Sequence, residues 1–157
     1  MKTILCPTRG GKESRPNQDF AINLAKERGM RLLFLYVSDI RFISRSALPI
    51  VVDIEAELDE VGEFLLAMAQ ERAVKAKVPT EVSVRRGIFN KVLKEVIAEE
   101  EITTVVLGSS SGGKRVTTDE YLQDLGQEMN LETGVEFIVV QDGKLVTRYD
   151  AIGKDRV

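Results

Sequence analysis

The sequence has no histidine and a single cysteine, Cys6, and these shortages narrow the chemistry open to the protein. Zinc sites are built mainly from histidine and cysteine, and Ser/His or Cys/His nucleophile pairs need a histidine. One cysteine also cannot form a disulfide within the chain, which is typical of a reducing compartment. We therefore expect a cytoplasmic protein that has no catalytic residue and no metal site.

Long apolar runs and a strong charge of one sign are missing as well. No stretch approaches the roughly 20 apolar residues that cross a bilayer, and the N-terminus lacks the pattern of a signal peptide. The net charge of −3 gives no general attraction to nucleic acid or anionic lipid, so we expect neither partner. A length of 157 residues with 43% apolar content predicts a single domain over residues 1–157.

The chain does contain a regular alternation of short apolar runs with stretches of helical spacing. Residues 32–37 are continuously apolar, as expected of a strand that is covered on both faces in a parallel sheet. We predict an α/β fold, a doubly wound (Rossmann-like) five-stranded parallel sheet with helices on both faces. The predicted elements are β1 (3–6), α1 (20–28), β2 (31–37), α2 (54–68), β3 (81–85), α3 (89–97), β4 (103–107), α4 (121–129) and β5 (135–140).

The second predicted helix, α2, is long and amphipathic, and residues 41–49 before it are irregular. Its apolar residues step by three and four, which predicts that they form the buried face. They are Ile54, Leu58, Val61, Leu65 and Met68. The run Glu99–Glu101 is expected just beyond α3 in solvent, because carboxylates oppose the dipole at a helix C-terminus. Thr117 and Glu120 predict a capping box at the start of α4.

A C-terminal antiparallel strand is predicted from the turn signal Asp142-Gly143, which favours a two-residue hairpin. We name this strand β6 (145–149); residues 1–140 form the core of the domain and 141–157 form the hairpin strand and tail. The strand either covers β5 within the chain or extends the sheet into a second copy, since an apolar edge strand is open to pairing. We expect a homodimer through the β5/β6 edge.

A loop rich in small residues follows β4 directly, from Gly108 to Arg115. Such a loop lets successive backbone N–H groups face one anion, and Lys114 and Arg115 add positive charge. In an open α/β sheet, ligands bind beyond the carboxyl ends of the strands where the winding reverses. The loops after β1 (residues 7–12) and β4 are expected to meet there and to bind a phosphate-bearing ligand. A solvated, flexible surface loop is the alternative.

The β4 loop also matches part of a P-loop. Gly108, Gly113 and Lys114 have the required spacing, but Arg115 stands where a serine or threonine would bind Mg²⁺. The acidic partner on a neighbouring strand would have to be Asp39. A P-loop enzyme that hydrolyses nucleotides is therefore disfavoured. Slow hydrolysis of a bound nucleotide stays open.

Five short strings, in this order and spacing, resemble the universal stress protein family. They are residues 4–8, 24–29, 33–39, Arg86-Gly87 and 105–110. The resemblance implies a stress-response regulator with a five-stranded doubly wound sheet that dimerises through its last strand. It also implies an adenine nucleotide, ATP or AMP, with Mg²⁺ only beside a triphosphate. The residues expected to bind the nucleotide are Pro7, Thr8, Arg9, Val37, Gly108, Ser109, Ser110, Ser111, Gly112, Gly113 and Lys114.

Two departures from the family pattern leave a second hypothesis open. Arg9 stands where nucleotide-binding members have an aspartate, and Ser111 stands at the second glycine of the β4 loop, with no later glycine-serine pair. Lys114 and Arg115 would then supply phosphate binding through side-chain charge. The alternative is a dimeric protein-interaction module of the same family that binds no nucleotide.

Overall fold

Strands and helices alternate along the chain as the sequence predicts. The structure is a computed structural model that describes residues 2–9, 12–38, 48–109 and 119–153, with the backbone alone for 48–59 and 119. The strands are β1 (Thr3–Pro7), β2 (Arg31–Ser38), β3 (Thr80–Arg86), β4 (Ile102–Ser109), β5 (Glu136–Gln141) and β6 (Lys144–Tyr149). The helices are α1 (Arg15–Arg28), α2 (Leu48–Lys75), α3 (Phe89–Glu99) and α4 (Asp119–Thr133), with a short 3-10 helix at Lys12–Ser14.

The six strands form one sheet in the order β3-β2-β1-β4-β5-β6. Strands β1 to β5 run parallel, and β6 runs antiparallel beside β5. The chain first extends from β1 through β2 to β3 and then returns to the other side of β1 with β4. The winding therefore reverses between β1 and β4, and the predicted doubly wound parallel sheet with an antiparallel C-terminal strand is confirmed.

Each face of the sheet has its own apolar core. Helices α1 and α2 cover the face that holds Leu32 and Phe34, and α3 and α4 cover the face that holds Leu33 and Leu35. These four residues are consecutive in β2 and at most 5% exposed, because successive side chains of a strand point to opposite faces. Burying each contributes about 2 kcal/mol. The prediction that β2 is covered on both faces is confirmed.

Helix α1 ends at Arg28, the end that the sequence predicts. Gly29 has a φ of 65° and follows the last helical residue in a left-handed conformation. Its N–H donates to the carbonyl of Lys26, and the N–H of Met30 donates to that of Ala25. This pair of bonds is a Schellman motif, which satisfies the last carbonyls of the helix.

Helices α3 and α4 each bury one face against the sheet. The residues of these helices that are buried against the sheet are Val92, Leu93, Val96, Leu122, Leu125 and Met129. Residues 99–101 are exposed as expected, but Glu99 is the last residue of α3 rather than beyond it, and it pairs with Arg85. Tyr121, at the start of α4, is 47% exposed. Thr117 of the predicted capping box lies outside the described residues.

The predicted face of α2 is wrong where the structure describes its side chains. Val61 and Met68 are 50% and 40% exposed, and Leu65 is half-buried, whereas the face of Leu66, Ala69 and Ala73 is buried. The side chains of Ile54 and Leu58 lie outside the described residues. Gly62 lies on this buried face, and a Cβ there would lie 2.7 Å from the Tyr36 ring, so the helix packs closely against β2 at this position.

The start of α2 is also earlier than the sequence predicts. The helix begins at Leu48, so Leu48 and Pro49 are helical rather than part of an irregular segment. Proline is tolerated in a first helical turn because the N–H it lacks would have no partner within the helix. The rest of that predicted segment, residues 41–47, lies outside the described residues.

The C-terminal hairpin forms within the chain. Asp142 and Gly143 have φ values of 49° and 79°, and this pair of positive values is that of a type I′ turn. β6 then pairs with β5 from Gln141 opposite Lys144 to Phe137 opposite Tyr149. The alternative in which β6 covers β5 is the one observed, and β6 forms an edge of the described sheet.

A buried carboxylate at the first position of β5 joins three elements. Glu136 accepts hydrogen bonds from Arg28 of α1 at 2.5 Å and from Thr104 of β4 at 2.7 Å, and Arg148 of β6 lies 2.6 Å away. Burial alone would raise the pKa of Glu136, but the hydrogen bonds from Arg28 and Thr104 and the nearby positive charges outweigh it, so the pKa is lowered. This cluster fastens β6 to the sheet at the end opposite the β5–β6 turn.

Candidate functional site

The exits of β1, β2 and β4 lie side by side at the carboxyl edge of the sheet. β1 pairs with β2 up to Pro7 opposite Leu35, and with β4 up to Leu5 opposite Val105. The three strands run parallel, so their last residues share one edge. The prediction that the chain leaves β1 and β4 at neighbouring points, where the winding reverses, is confirmed.

The exit of β1 is held by α1. The Thr8 N–H donates to the carbonyl of Leu35, and the Thr8 hydroxyl accepts a bond from the amide of Gln18 at 2.9 Å. The other end of that amide accepts from Arg72 of α2 at 2.7 Å, and Gln18 is 2% exposed. Arg9, the next residue after Thr8, is exposed beside this anchored exit.

The exit of β4 is held by a residue that the sequence reasoning missed. The Asn17 side chain donates to the Ser109 carbonyl at 2.8 Å and accepts from the Gly143 N–H at 2.8 Å. The Asp142 N–H also donates to the Ser109 carbonyl, at 3.1 Å. The carboxyl end of β4, the first turn of α1 and the β5–β6 turn are thereby joined.

Gly108 is needed for this joint. A Cβ at Gly108 would lie 2.6 Å from Nδ2 of Asn17, closer than real Cβ contacts allow. The sequence assigns Gly108 to ligand binding, and the structure adds an internal reason for the same residue. Asn17 could have been found by extending the helical spacing of Ala21 and Ala25 backward by four residues, since all three are buried.

The exit of β2 contributes Val37 and Ser38. Val37 is half-buried, and Ser38 is 3% exposed. The Ser38 carbonyl accepts from Gly87, whereas its hydroxyl has no hydrogen-bond partner in the part of the chain that the structure describes. Asp39, the acidic residue considered for a P-loop, lies outside that part.

The remaining predicted ligand contacts are in the β4 loop. Ser110, Ser111, Gly112, Gly113 and Lys114 all lie outside the described residues, as does Arg115. Their roles stay predictions from the sequence. Of the residues predicted at the site, the structure brings Pro7, Thr8, Arg9, Val37, Gly108 and Ser109 to the same edge of the sheet.

A separate groove of about 450 Å³ runs along the outer face of α1 to the β5–β6 turn. Phe20 and Leu24 contribute its apolar lining, and Asp19, Glu27 and Asp142 contribute carboxylates. Carboxylates repel a phosphate, so this groove is a poor site for a nucleotide. The exposed cations Arg9 and Lys12 lie instead near the exit of β1.

The one cysteine of the chain lies in β1, just before this edge. Cys6 is 2% exposed, and burial raises the pKa of its thiol to about 12, so it is not a nucleophile at neutral pH. No group of three or more potential metal-ligating side chains occurs in the described ranges. No helix in those ranges is both long and apolar enough to cross a membrane.

Comparison with protein families gives one match. A sequence model of the universal stress protein family matches residues 1–119. No curated protein matches the chain.

Several solved structures share the fold. UspA from Lactobacillus plantarum has a TM-score of 0.71 at 16% identity, over 88% of this chain and 97% of that one. A universal stress protein in complex with cAMP has a TM-score of 0.62 at 18% identity, over 88% and 96%. One from Archaeoglobus fulgidus in complex with dAMP has a TM-score of 0.56 at 14% identity, over 88% and 96%. At these identities the likeness is one of fold.

Proposed function

The chain belongs to the universal stress protein family, and we propose on that basis that it binds an adenine nucleotide, ATP or AMP, where β1 and β4 end. The observation that carries the proposal is the strand order, in which β4 lies directly beside β1 and the winding reverses between them. Loops that leave a sheet at such a point diverge and leave a crevice for a ligand. Solved relatives with cAMP and with dAMP support an adenine nucleotide as the ligand class.

Each wall of the crevice has a proposed role. Pro7, Thr8, Arg9 and Val37 line the side formed by β1 and β2, and Gly108 begins the side formed by β4. Backbone N–H groups and hydroxyls of the β4 loop contact the phosphates, and Lys114 balances their charge. The loop residues proposed for these contacts are Ser109, Ser110, Ser111, Gly112 and Gly113. Mg²⁺ accompanies the ligand only when a triphosphate is bound.

The test is thermal unfolding of the purified protein with ATP, ADP, AMP, cAMP or a cyclic dinucleotide. A bound ligand stabilises the fold by mass action, by about 2.7 kcal/mol at a concentration 100 times Kd, so the melting temperature should rise with an adenine nucleotide. No rise with any of these compounds would reject the proposal.

Lys114→Ala extends the same test to the phosphate end of the ligand. Calorimetric affinity should fall more in low salt than in high salt, because salt screens the charge that the lysine supplies. Lys26→Ala is the matched control, since Lys26 is an exposed cation in the last turn of α1, at the other end of that helix from the exit of β1. Equal affinity of the Lys114 variant and the wild type would remove Lys114 from the site.

A dimeric interaction module that binds no nucleotide is the second candidate. The observation that favours it is the edge strand β6, on which Leu145 and Val146 are 57% and 40% exposed. An apolar edge strand is open to pairing with another chain, and a second copy supplies a matching edge. In both candidates we propose a cytoplasmic homodimer that binds without enzymatic turnover.

A further inference from the structure

We propose that Asn17 is a positioning residue for the nucleotide site, through which the C-terminal hairpin holds the carboxyl end of β4 in place. This inference rests on the proposed function, because it concerns the affinity of that same crevice. In this role the β5–β6 turn not only connects two paired strands but also supports the nucleotide site.

The Asn17 side chain links two backbone segments that are far from it along the chain. Asn17 is 8% exposed, and both ends of its amide are used. It spans 92 residues to reach the Ser109 carbonyl and 126 residues to reach the Gly143 N–H, each at 2.8 Å. An amide that is both a donor and an acceptor can link two separate backbone segments only when both lie at fixed positions.

Two glycines leave the space that Asn17 and the start of α1 occupy. Gly108 leaves room for the side chain, since a Cβ there would lie within 2.8 Å of three Asn17 atoms. Gly143 leaves room for the neighbouring turn of α1, since its Cβ would lie 2.9 Å from the Pro16 carbonyl oxygen. Gly108 thus lets the Asn17 side chain approach β4, and Gly143 lets the β5–β6 turn approach the backbone of α1.

The hydrogen bonds of Asn17 act on the residue at which β4 ends. Ser109 is the last residue of β4, and its carbonyl accepts from both Asn17 and Asp142. A peptide group is planar, so fixing this carbonyl also fixes the direction in which the chain leaves β4. Gly108 and Ser109 are themselves proposed nucleotide contacts, and contacts that are already held in place cost less conformational entropy on binding.

Asn130 provides a matched control for a purely structural role. It is 7% exposed, and its side chain donates to the Val135 and Asp150 carbonyls at 2.8 and 2.9 Å. It therefore secures the opposite end of the hairpin with the same type of amide. Loss of either asparagine should lower the melting temperature, whereas only Asn17 contacts the carboxyl edge.

The experiment is calorimetric titration with ATP of the wild type, Asn17→Ala and Asn130→Ala. Asn17→Ala should weaken affinity by about tenfold, since the β4 exit loses a buried hydrogen bond and the turn that it holds. Asn130→Ala should keep the affinity within about twofold. Unchanged affinity in Asn17→Ala, or an equal loss in both variants, would overturn the inference. A wild type that binds no nucleotide would overturn the proposed function and this inference together.

Hydrogen exchange in the unmodified protein keeps the inference testable should Asn17→Ala fail to fold. Saturating ATP should slow exchange of the Asp142 and Gly143 amides, which donate to Ser109 and Asn17. The Ile152 amide, which donates to Gly134 beside the other end of the hairpin, should be unaffected. Binding of ATP without slower exchange at the turn would contradict the coupling while leaving the proposed function intact.

Discussion

Glu136 concentrates several charges at one buried position. Its side chain is 6% exposed, while those of its partners Arg28 and Arg148 are 30% and 51% exposed. The carboxylate has therefore lost most of its contact with water, whereas the arginines keep part of theirs. Removing the carboxylate leaves those cations partly solvated, which limits the cost below that of a fully buried pair.

We expect Glu136→Gln to lower the free energy of unfolding at pH 7 by about 2 kcal/mol, because charge-assisted hydrogen bonds are lost. The pKa of Glu136 is lowered in the fold, so its contribution is complete above the unfolded value of about 4.3 and is lost as the pH falls below it. The difference between the variant and the wild type should shrink in acid. Urea unfolding at pH 7 and at pH 3 to 4 measures both effects.

Glu81→Gln is the control for an exposed pair. Glu81 lies 2.8 Å from Arg31 with its side chain 62% exposed, so its removal should cost less than about 1 kcal/mol. A difference between Glu136→Gln and the wild type that stays constant from pH 7 to pH 3 would contradict the role assigned to the Glu136 charge.

At the scale of elements, α2 has two apolar faces, and only one of them meets the sheet. Leu66 is fully buried, whereas Met68, two residues later, is 40% exposed. Leu66→Ala should lower the free energy of unfolding by about 3 kcal/mol, because it leaves a cavity in a close-packed core. Met68→Ala should change it by less than about 1 kcal/mol. Denaturant unfolding of both variants measures the two changes. The comparison is matched because leucine and methionine side chains have similar volumes.

A larger loss of stability in Met68→Ala than in Leu66→Ala would instead support the buried face that the sequence predicts. Phe64 gives a further check, since it is 66% exposed on the outer side of the same helix. Phe64→Ala should leave stability within about 0.5 kcal/mol of the wild type.

At the scale of the whole molecule, the described sheet has two edges, β3 and β6. Val146 on β6 is 40% exposed and Val82 on β3 is 37% exposed, so the two edges offer matched sites for a charge. Val146→Lys should dissociate the proposed homodimer, because like charges would meet where two copies of β6 pair. Val82→Lys should leave the dimer intact. Light scattering during size-exclusion chromatography at several concentrations reports both masses.

A wild type that is monomeric at every concentration would reject the proposed dimer. Dissociation by Val82→Lys alone would instead place the interface at β3. Because both valines are exposed, neither lysine has to be buried in the monomer, and the monomer fold should be retained.

The sequence predicts the sheet well because its signals are local. Leu32 to Leu35 alternate between the two cores as a doubly covered strand must, and Asp142 with Gly143 adopts the turn that these residues favour. Gly29 ends α1 for the same local reason, since glycine adopts positive φ without steric cost. The packing rules for alternating strands and helices leave only a few strand orders open, and the structure shows which of them occurs.

The candidate site is predicted only in part. The neighbouring exits of β1 and β4 follow from the order of elements along the chain. Asn17 does not, because it contacts Ser109 and Gly143 at separations of 92 and 126 residues. The structural need for glycine at position 108 likewise does not follow from the sequence, because it arises only where Asn17 packs against β4.

The sequence by itself determined which segments became strands and helices, where α1 stops and where the C-terminal hairpin turns, since each depends on residues a few positions apart. Only the tertiary structure decided which face of α2 is buried and which residues hold β4 and Glu136 in place. The physical reason is that close packing and buried hydrogen bonds select among locally equivalent arrangements by the partners that the fold brings together. For Glu136, that partner is Arg28, 108 residues away along the chain.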